Sequence, residues 1–315
     1  MDLIYAARYT EACDYAWHDY ADTLHKDNLQ PGVWHVDTAS IPEFFKMIRT
    51  SRHKYVVVSP SCDFGVCVQR YNHPAMDLEK WLSLQMTPRH GYRDLQMQAR
   101  IDPKRCDEKD HYSIKCWSYT AATFPEIPDN VVKWYVCNCE IDDPRVVPIP
   151  FGVGGNKDML EGVKAIDSYK TDSPRDKLLY VNFQFYNTDR YKLFLHIKNN
   201  FPSVTCKQQV PFDEFLHDMA THKYVLCPPG NGLDCYRTLE SIYMGAIPIL
   251  ERRMGCVMPY NDVQYPILAY PNLFQIDPIG LEASYNMYNN MDRDCTKAKW
   301  PYWKQQIDSS RSLIG

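Results

Sequence analysis

The segment that most limits what this chain can become is "HKYVLCPPGNGLDCYRTLESIYMGAIPIL", residues 222–250. It opens with a short apolar run of strand type, which two prolines and two glycines then interrupt. An acid follows, then a helical stretch carrying Arg237 and Glu240, then the second apolar run "AIPIL". Strands joined through a helix lie parallel in one sheet, and a parallel sheet needs helices over both faces. A chain containing this unit folds as α/β layers.

The rest of the chain is written the same way. "KYVVVSP" (54–60), "VVKWYVCNC" (131–139) and "VVPIPFGV" (146–153) read as strands, and "IPEFFKMIRT" and the amphipathic "MDLEKWLSLQM" as helices. A charged, patternless stretch from Arg89 to Ser113 reads as a long surface loop over a cleft. After "FGVGGNK" come a helix over 157–167, strand "KLLYVNF", helix "DRYKLFLHIKNNF", a short strand at "SVTCK" and helix "PFDEFLHDMA". The expected organisation is an N-terminal Rossmann-like domain over 1–152 and a second over 153–290. Residues 291–315 are expected to form a polar helix returning to the first domain.

At 315 residues there is room for two such domains. A formal net charge of −4 argues against a nucleic-acid partner, which calls for a basic face. The N-terminus is acidic from Asp2 with no long apolar run, so neither a signal peptide nor a membrane segment is expected, and the location expected is the cytoplasm. The 12 cysteines contain no C-x-x-C pair and are expected to be reduced thiols. Cys137 and Cys139 alternate along a strand and so face opposite sides.

The Gly-rich loop lies at the carboxyl end of a strand, where open α/β sheets bind ligands. Gly230 and Gly232 are expected at positive φ, close to a ligand, with Asn231 between them. Asp234 is expected to N-cap the next helix, whose N–H groups and dipole favour a phosphate. Arg237 can fork two hydrogen bonds onto such a phosphate. Glu240, on the same helix face, can accept from two vicinal hydroxyls, as a ribose presents. The bland alternative is an Arg237–Glu240 surface pair beside an ordinary turn. No G-K-[ST] follows the glycines, so this is not a Walker A loop.

The same segment resembles the donor-binding signature of exostosin-type glycosyltransferases, glycosyltransferase family 47, with its P-x-G-N-G-x-D-C-x-R-x-x-E run. "VVVSPSCDFGV", "VKWYVCNCEIDDPRVVPIPFGVGG" and "LLYVNFQFYNTDRY" agree with it in order, so the likeness spans about 54–275. It implies a GT-B fold, two Rossmann-like domains facing across a cleft. It also implies inverting, metal-independent transfer of a sugar from a UDP-sugar to a glycan hydroxyl, with no cofactor. Two departures are the missing N-terminal anchor and "SPSCD", where relatives show a His-Asn-Ser-Asp-like run. Anchorless relatives are of the kind large algal viruses encode, which favours xylose.

The resemblance further implies Arg190 as a second cation for the diphosphate, against an ordinary surface Arg. Asp63 is implied as the general base, against a turn cap, with Asp77 and Glu79 in reserve. Asn182 and Tyr186, near one strand end, are candidate cleft residues, as is Asn138 near another, where a structural cap is the alternative. The D-x-D at Asp292–Asp294 is away from any strand end and reads as an acidic helix start. The competing function is an inactive carbohydrate-binding or scaffold protein on the same fold. A phosphorylase of this fold would need a lysine for pyridoxal phosphate.

Overall fold

A computed structural model describes residues 2–17, 29–60, 65–67, 118–120, 126–139, 141–154, 159–169, 174–185, 188–230, 232–252, 254–260 and 263–315. After a 3-10 turn (Ala6–Ala12) come strand β1 (Tyr15–Ala16), β2 (Gly32–His35), helix α1 (Ile41–Ile48) and β3 (Tyr55–Ser59). Next are β4 (Gly65–Cys67), β5 (Ser118–Thr120), β6 (Val131–Val136) and β7 (Val146–Pro148). The second half runs α2 (Met159–Ser168), β8 (Lys177–Val181), α3 (Thr188–Asn200), β9 (Thr205–Cys206), α4 (Phe212–Thr221) and β10 (His222–Leu226). It ends with α5 (Tyr236–Tyr243), β11 (Ile247–Glu251), α6 (Met254–Val257), β12 (Leu268–Tyr270), α7 (Pro278–Asn289) and α8 (Trp300–Ser310).

Two five-stranded parallel sheets result, ordered β1-β2-β3-β6-β7 and β12-β11-β10-β8-β9, and β4 pairs with β5 in parallel. This is the α/β architecture of two Rossmann-like sheets expected of a GT-B chain. In the second sheet the chain steps from β8 outward to β9. It then crosses back through α4 to β10, on the other side of β8. That reversal is a topological switch point, and ligands of open α/β sheets bind beyond the strand ends there.

Local sequence explains the elements. Ile41, Phe44, Phe45 and Ile48 recur with helical period and are fully buried, and Pro42 starts α1 without leaving an orphan N–H. β3, "YVVVS", is buried on both faces, as a central parallel strand must be. Two strands are shorter than their sequence suggests. β6 stops at Val136 because Asn138 turns to φ 53°, and β7 stops at Pro148 because Pro148 and Pro150 lack donors.

The cores form three layers. Trp34, Val57, Trp134 and Val136 pack under α1 on the outer face of the first sheet. Leu179, Val181, Tyr224 and Ile249 pack with Phe194 of α3 and Leu281 of α7 on the outer face of the second. Between the sheets one apolar layer joins Val56, Val58, Tyr135, Tyr180, Val225, Leu239 and Trp300. Cys137 falls in this shared layer and Cys139 in the outer one, so they do face opposite sides. Helix "MDLEKWLSLQM" and the stretch from Arg89 to Ser113 lie outside the described residues. Among those described, no helix is long and apolar enough to cross a membrane.

Helix α8 is less polar than its composition suggests, since Trp300, Trp303 and Ile307 form a buried stripe. It packs against the chain's start: Trp300 N–H donates to Asp2 O (2.8 Å) and Tyr9 meets the Trp300 ring edge-on at 5.3 Å. Arg311 grips Asp14 (2.6 Å) and Ala12 O (2.6 Å). Asp294 does not sit in α8; its carboxylate accepts from Thr296 N–H at 2.8 Å and caps the short turn before it.

Tyr135 on β6 donates to Gln306 O (2.8 Å) and meets Ser310 Oγ (2.7 Å). Tyr135→Phe keeps the ring and removes both hydrogen bonds, so it is expected to cost about 1–2 kcal/mol in urea unfolding. An unchanged midpoint and slope would show that α8 is held by its apolar stripe alone.

Candidate functional site

The switch point lies between the ends of β8 and β10. β8 leads to Asn182, Phe183 and Gln184, then α3 with Arg190; β10 leads to the loop 227–235 and α5. Arg237 is half-buried on the first turn of α5, its guanidinium 6.0 Å from the ring centres of both Phe183 and Phe215. Its Nε is buried with no hydrogen-bond partner, and its Nη1 lies 4.0 Å from Cys235 Sγ. A buried donor without an acceptor costs about 1–3 kcal/mol.

Arg190 has a different part from the one expected of it. It is 4% exposed, and Nη2 and Nε donate to the carbonyls of Pro228 and Pro229, both at 2.7 Å. Nη1 reaches Gln184 O at 3.2 Å, and the guanidinium packs on Phe183 at 5.5 Å. Three carbonyls and a ring surround this cation, which braces the Gly-rich loop; the expectation was a second cation for the diphosphate, against an ordinary surface Arg.

The glycines also serve another purpose. Positive φ among described glycines occurs at Gly152 and Gly245, not at Gly230 or Gly232. A Cβ on Gly230 would stand 2.8 Å from Arg190 Nη2, and one on Gly232 2.6 Å from Asn138 Nδ2. Both glycines admit a neighbouring side chain. Asn231, Asp63 and Tyr186 lie outside the described residues, as do the reserve bases Asp77 and Glu79.

Asn138 reaches from the end of the first sheet into this loop. It is fully buried in the left-handed region, which Asn tolerates better than most residues, and its Oδ1 accepts from Asp234 N–H at 2.7 Å. Asn182, just past the end of β8, donates to Tyr180 OH at 2.8 Å.

Asp234 does not cap α5. The helix starts at Tyr236 with Cys235 as its N-cap, and no side chain caps it. The Asp234 carboxylate is buried and accepts from Phe151 N–H (3.0 Å), Tyr260 OH (2.7 Å) and Cys235 N–H (2.8 Å). Burial, helped by the negative charge of Cys235, pushes its pKa up to about 7 against those donors. Glu240 is 4% exposed and accepts from Gly154 N–H at 3.2 Å, so the Arg237–Glu240 surface pair does not form. Phe151 stacks on Tyr236 at 4.6 Å, and a Cβ on Gly154 would stand 2.5 Å from that ring.

Sequence reasoning overlooked Phe183 and Phe215, which flank Arg237, and Phe151 and Tyr260, which hold Asp234. No spacing rule joins residues so far apart; a wide aromatic surplus of 23 Tyr and 12 Phe was the sole hint.

No protein-family model matches the chain. Among solved structures it is similar to the calicheamicin glycosyltransferase CalG4, at 11% identity over 89% of this chain and 70% of that one, with a TM-score of 0.34. The pneumococcal O-GlcNAc transferase GtfA, in complex with UDP and GlcNAc, shares 10% identity over 90% of this chain and 54% of its own, with a TM-score of 0.29. TarM shares 8% over 90% and 52%, with a TM-score of 0.31. This chain thus spans little more than half the length of the last two, and likenesses this distant carry no chemistry across.

Two tests follow from the loop. Gly232→Ala drives a methyl into Asn138 and is expected to destabilise by about 1–3 kcal/mol. Asn138→Gly keeps the left-handed backbone and removes the obstacle, so the cost of Gly232→Ala should shrink in that background. Strict additivity would mean the two residues do not touch.

For Asp234, the folded chain holds the proton to higher pH than the unfolded chain. Its contribution to stability is therefore complete below about pH 4 and is lost as pH rises through about 7. Asp234→Asn removes that titration. The wild-type advantage over the variant in unfolding free energy is expected to fall between pH 4 and 8, and a constant difference would contradict the assignment.

Proposed function

We propose that this chain is a glycosyltransferase that moves a sugar from a UDP-sugar to a glycan hydroxyl with inversion and without a metal. The observation that supports this best is Arg237: a half-buried cation with a buried, partnerless Nε, at a topological switch point and on the first turn of a helix. A diphosphate matches it, because the guanidinium fork and the helix N-terminus both favour phosphate oxygens.

The chemistry follows from charge. The acceptor oxygen bonds to the anomeric carbon as the bond from that carbon to the diphosphate breaks, and negative charge builds on the departing UDP. Arg237 and the N-terminal end of α5 stabilise that charge, the part a divalent ion plays in other transferases. Glu240 takes the ribose hydroxyls in this reading while one of its oxygens also holds Gly154. Arg190, Gly230 and Gly232 act on the donor by holding the loop in shape. Asp63 is proposed to take the acceptor proton, a step typically worth about 10²–10⁴-fold. Xylose as the sugar and the exostosin likeness belong to the same proposal.

Isothermal titration with UDP tests the core of it. Arg237→Lys and Arg237→Ala are expected to lose about 10- to 100-fold in affinity, the worth of a charge-assisted hydrogen bond, with the melting temperature near wild type. Wild-type affinity in both variants, or no UDP binding by wild type at millimolar nucleotide, would overturn the reading.

A further inference from the structure

Arg190 and Arg237 share one ring. Phe183, 1% exposed and just past the end of β8, has the Arg190 guanidinium 5.5 Å from its centre and that of Arg237 at 6.0 Å. Phe215, half-buried on α4, supplies a second ring 6.0 Å from Arg237. Both rings are packed in turn. Phe183 meets Phe194 edge-on at 6.2 Å and Phe185 at 6.4 Å. Phe215 stacks on Phe212 at 6.0 Å and lies 6.0 Å from Tyr180. The end of β8 and the crossover helix α4 thus bring two held rings to one side chain.

Three kinds of neighbour can hold a guanidinium, and they differ in what they leave over. A carboxylate neutralises the charge and takes the donors. Carbonyls take the donors, as those of Gln184, Pro228 and Pro229 do for Arg190. A phenyl ring attracts the cation through its electron-rich face, yet has no lone pair to offer an N–H. Among the described residues Arg237 pairs with no carboxylate. Its guanidinium meets the two rings and Cys235 Sγ, and its buried Nε has no partner. The rings therefore fix where this cation lies without using up its charge or its donors.

We propose that Phe183 and Phe215 are positioning residues for Arg237, two rings that hold its guanidinium in one place and leave its N–H groups to a diphosphate. This role rests on Arg237 being the diphosphate-binding cation proposed above, and adds what sets its geometry. A long side chain that must be ordered on binding costs affinity, and one already ordered does not. With leucine in place of a ring the guanidinium keeps its charge and its fork but loses a face that orders it. The incoming diphosphate must then do the ordering. Charge at this site is supplied by Arg237, and its placement by residues the ligand need not touch.

The test is isothermal titration of the full-length protein with UDP and with inorganic pyrophosphate, each variant first shown to be folded by a thermal melt. Phe215→Leu is expected to weaken both ligands about 3- to 10-fold, the worth of ordering one long side chain. Phe215→Tyr keeps the ring face and is expected to bind like wild type. In an Arg237→Ala background Phe215→Leu should change nothing, because the ring acts through the guanidinium. Phe183→Leu should repeat the loss, and where it fails to fold the half-buried Phe215 series decides. Wild-type affinity in Phe215→Leu, an equal loss in Phe215→Tyr, or the same loss with Arg237→Ala present would overturn this role and leave Arg237 as the diphosphate residue. Wild-type affinity in Arg237→Ala, or a wild-type protein that binds neither ligand, would overturn that reading and this role with it.

Discussion

The buried carboxylate of Asp234 is the interaction on which the rest depends. It collects the N–H of Phe151 from the first half of the chain, the hydroxyl of Tyr260 and the N–H of Cys235 at the start of α5. A buried carboxylate without donors would cost several kcal/mol, so each of these groups is held where it is by electrostatic need. Asn138 closes the arrangement from the other side by accepting from the Asp234 N–H. The Gly-rich loop is thus clamped between the sheets.

The segment after β7 is the structural partner of that clamp. Phe151 and Gly154 lie along Tyr236 and Glu240, and Gly152 turns through φ 101° with Tyr5 Cα 2.8 Å from where its Cβ would be. Chain crossing and Gly-rich loop therefore share side chains. Asn138 and Phe151 of the first half thus touch the residues at the first turn of α5 directly.

Cation placement separates two arginines that look equivalent in the sequence. Arg190 and Arg237 both begin helices after a strand of the second sheet. Arg190 finds the carbonyls of Pro228 and Pro229 and is consumed by them. Arg237 finds two aromatic rings and a sulfur, which leave a buried donor unmet. The first shapes the loop, and the second keeps an unmet donor beside it.

The sequence by itself determined the α/β class, the parallel order of its units and the position of the loop at a strand end. Those features follow from period, proline and glycine placement, and short-range connection rules, as with Ile41, Phe44, Phe45 and Ile48 of α1 or the all-apolar β3. Tertiary structure alone decided which polar group meets which. Asp234 looked like a cap and became a tie between sheets. Gly230 and Gly232 looked like turn formers and became gaps for Arg190 and Asn138. Such roles depend on contacts between residues dozens of positions apart, Asn138 with Asp234 or Phe151 with Tyr236, and local propensity carries no information about them. Burial then fixes the outcome, because a polar group without water must take whichever partner the fold brings within reach.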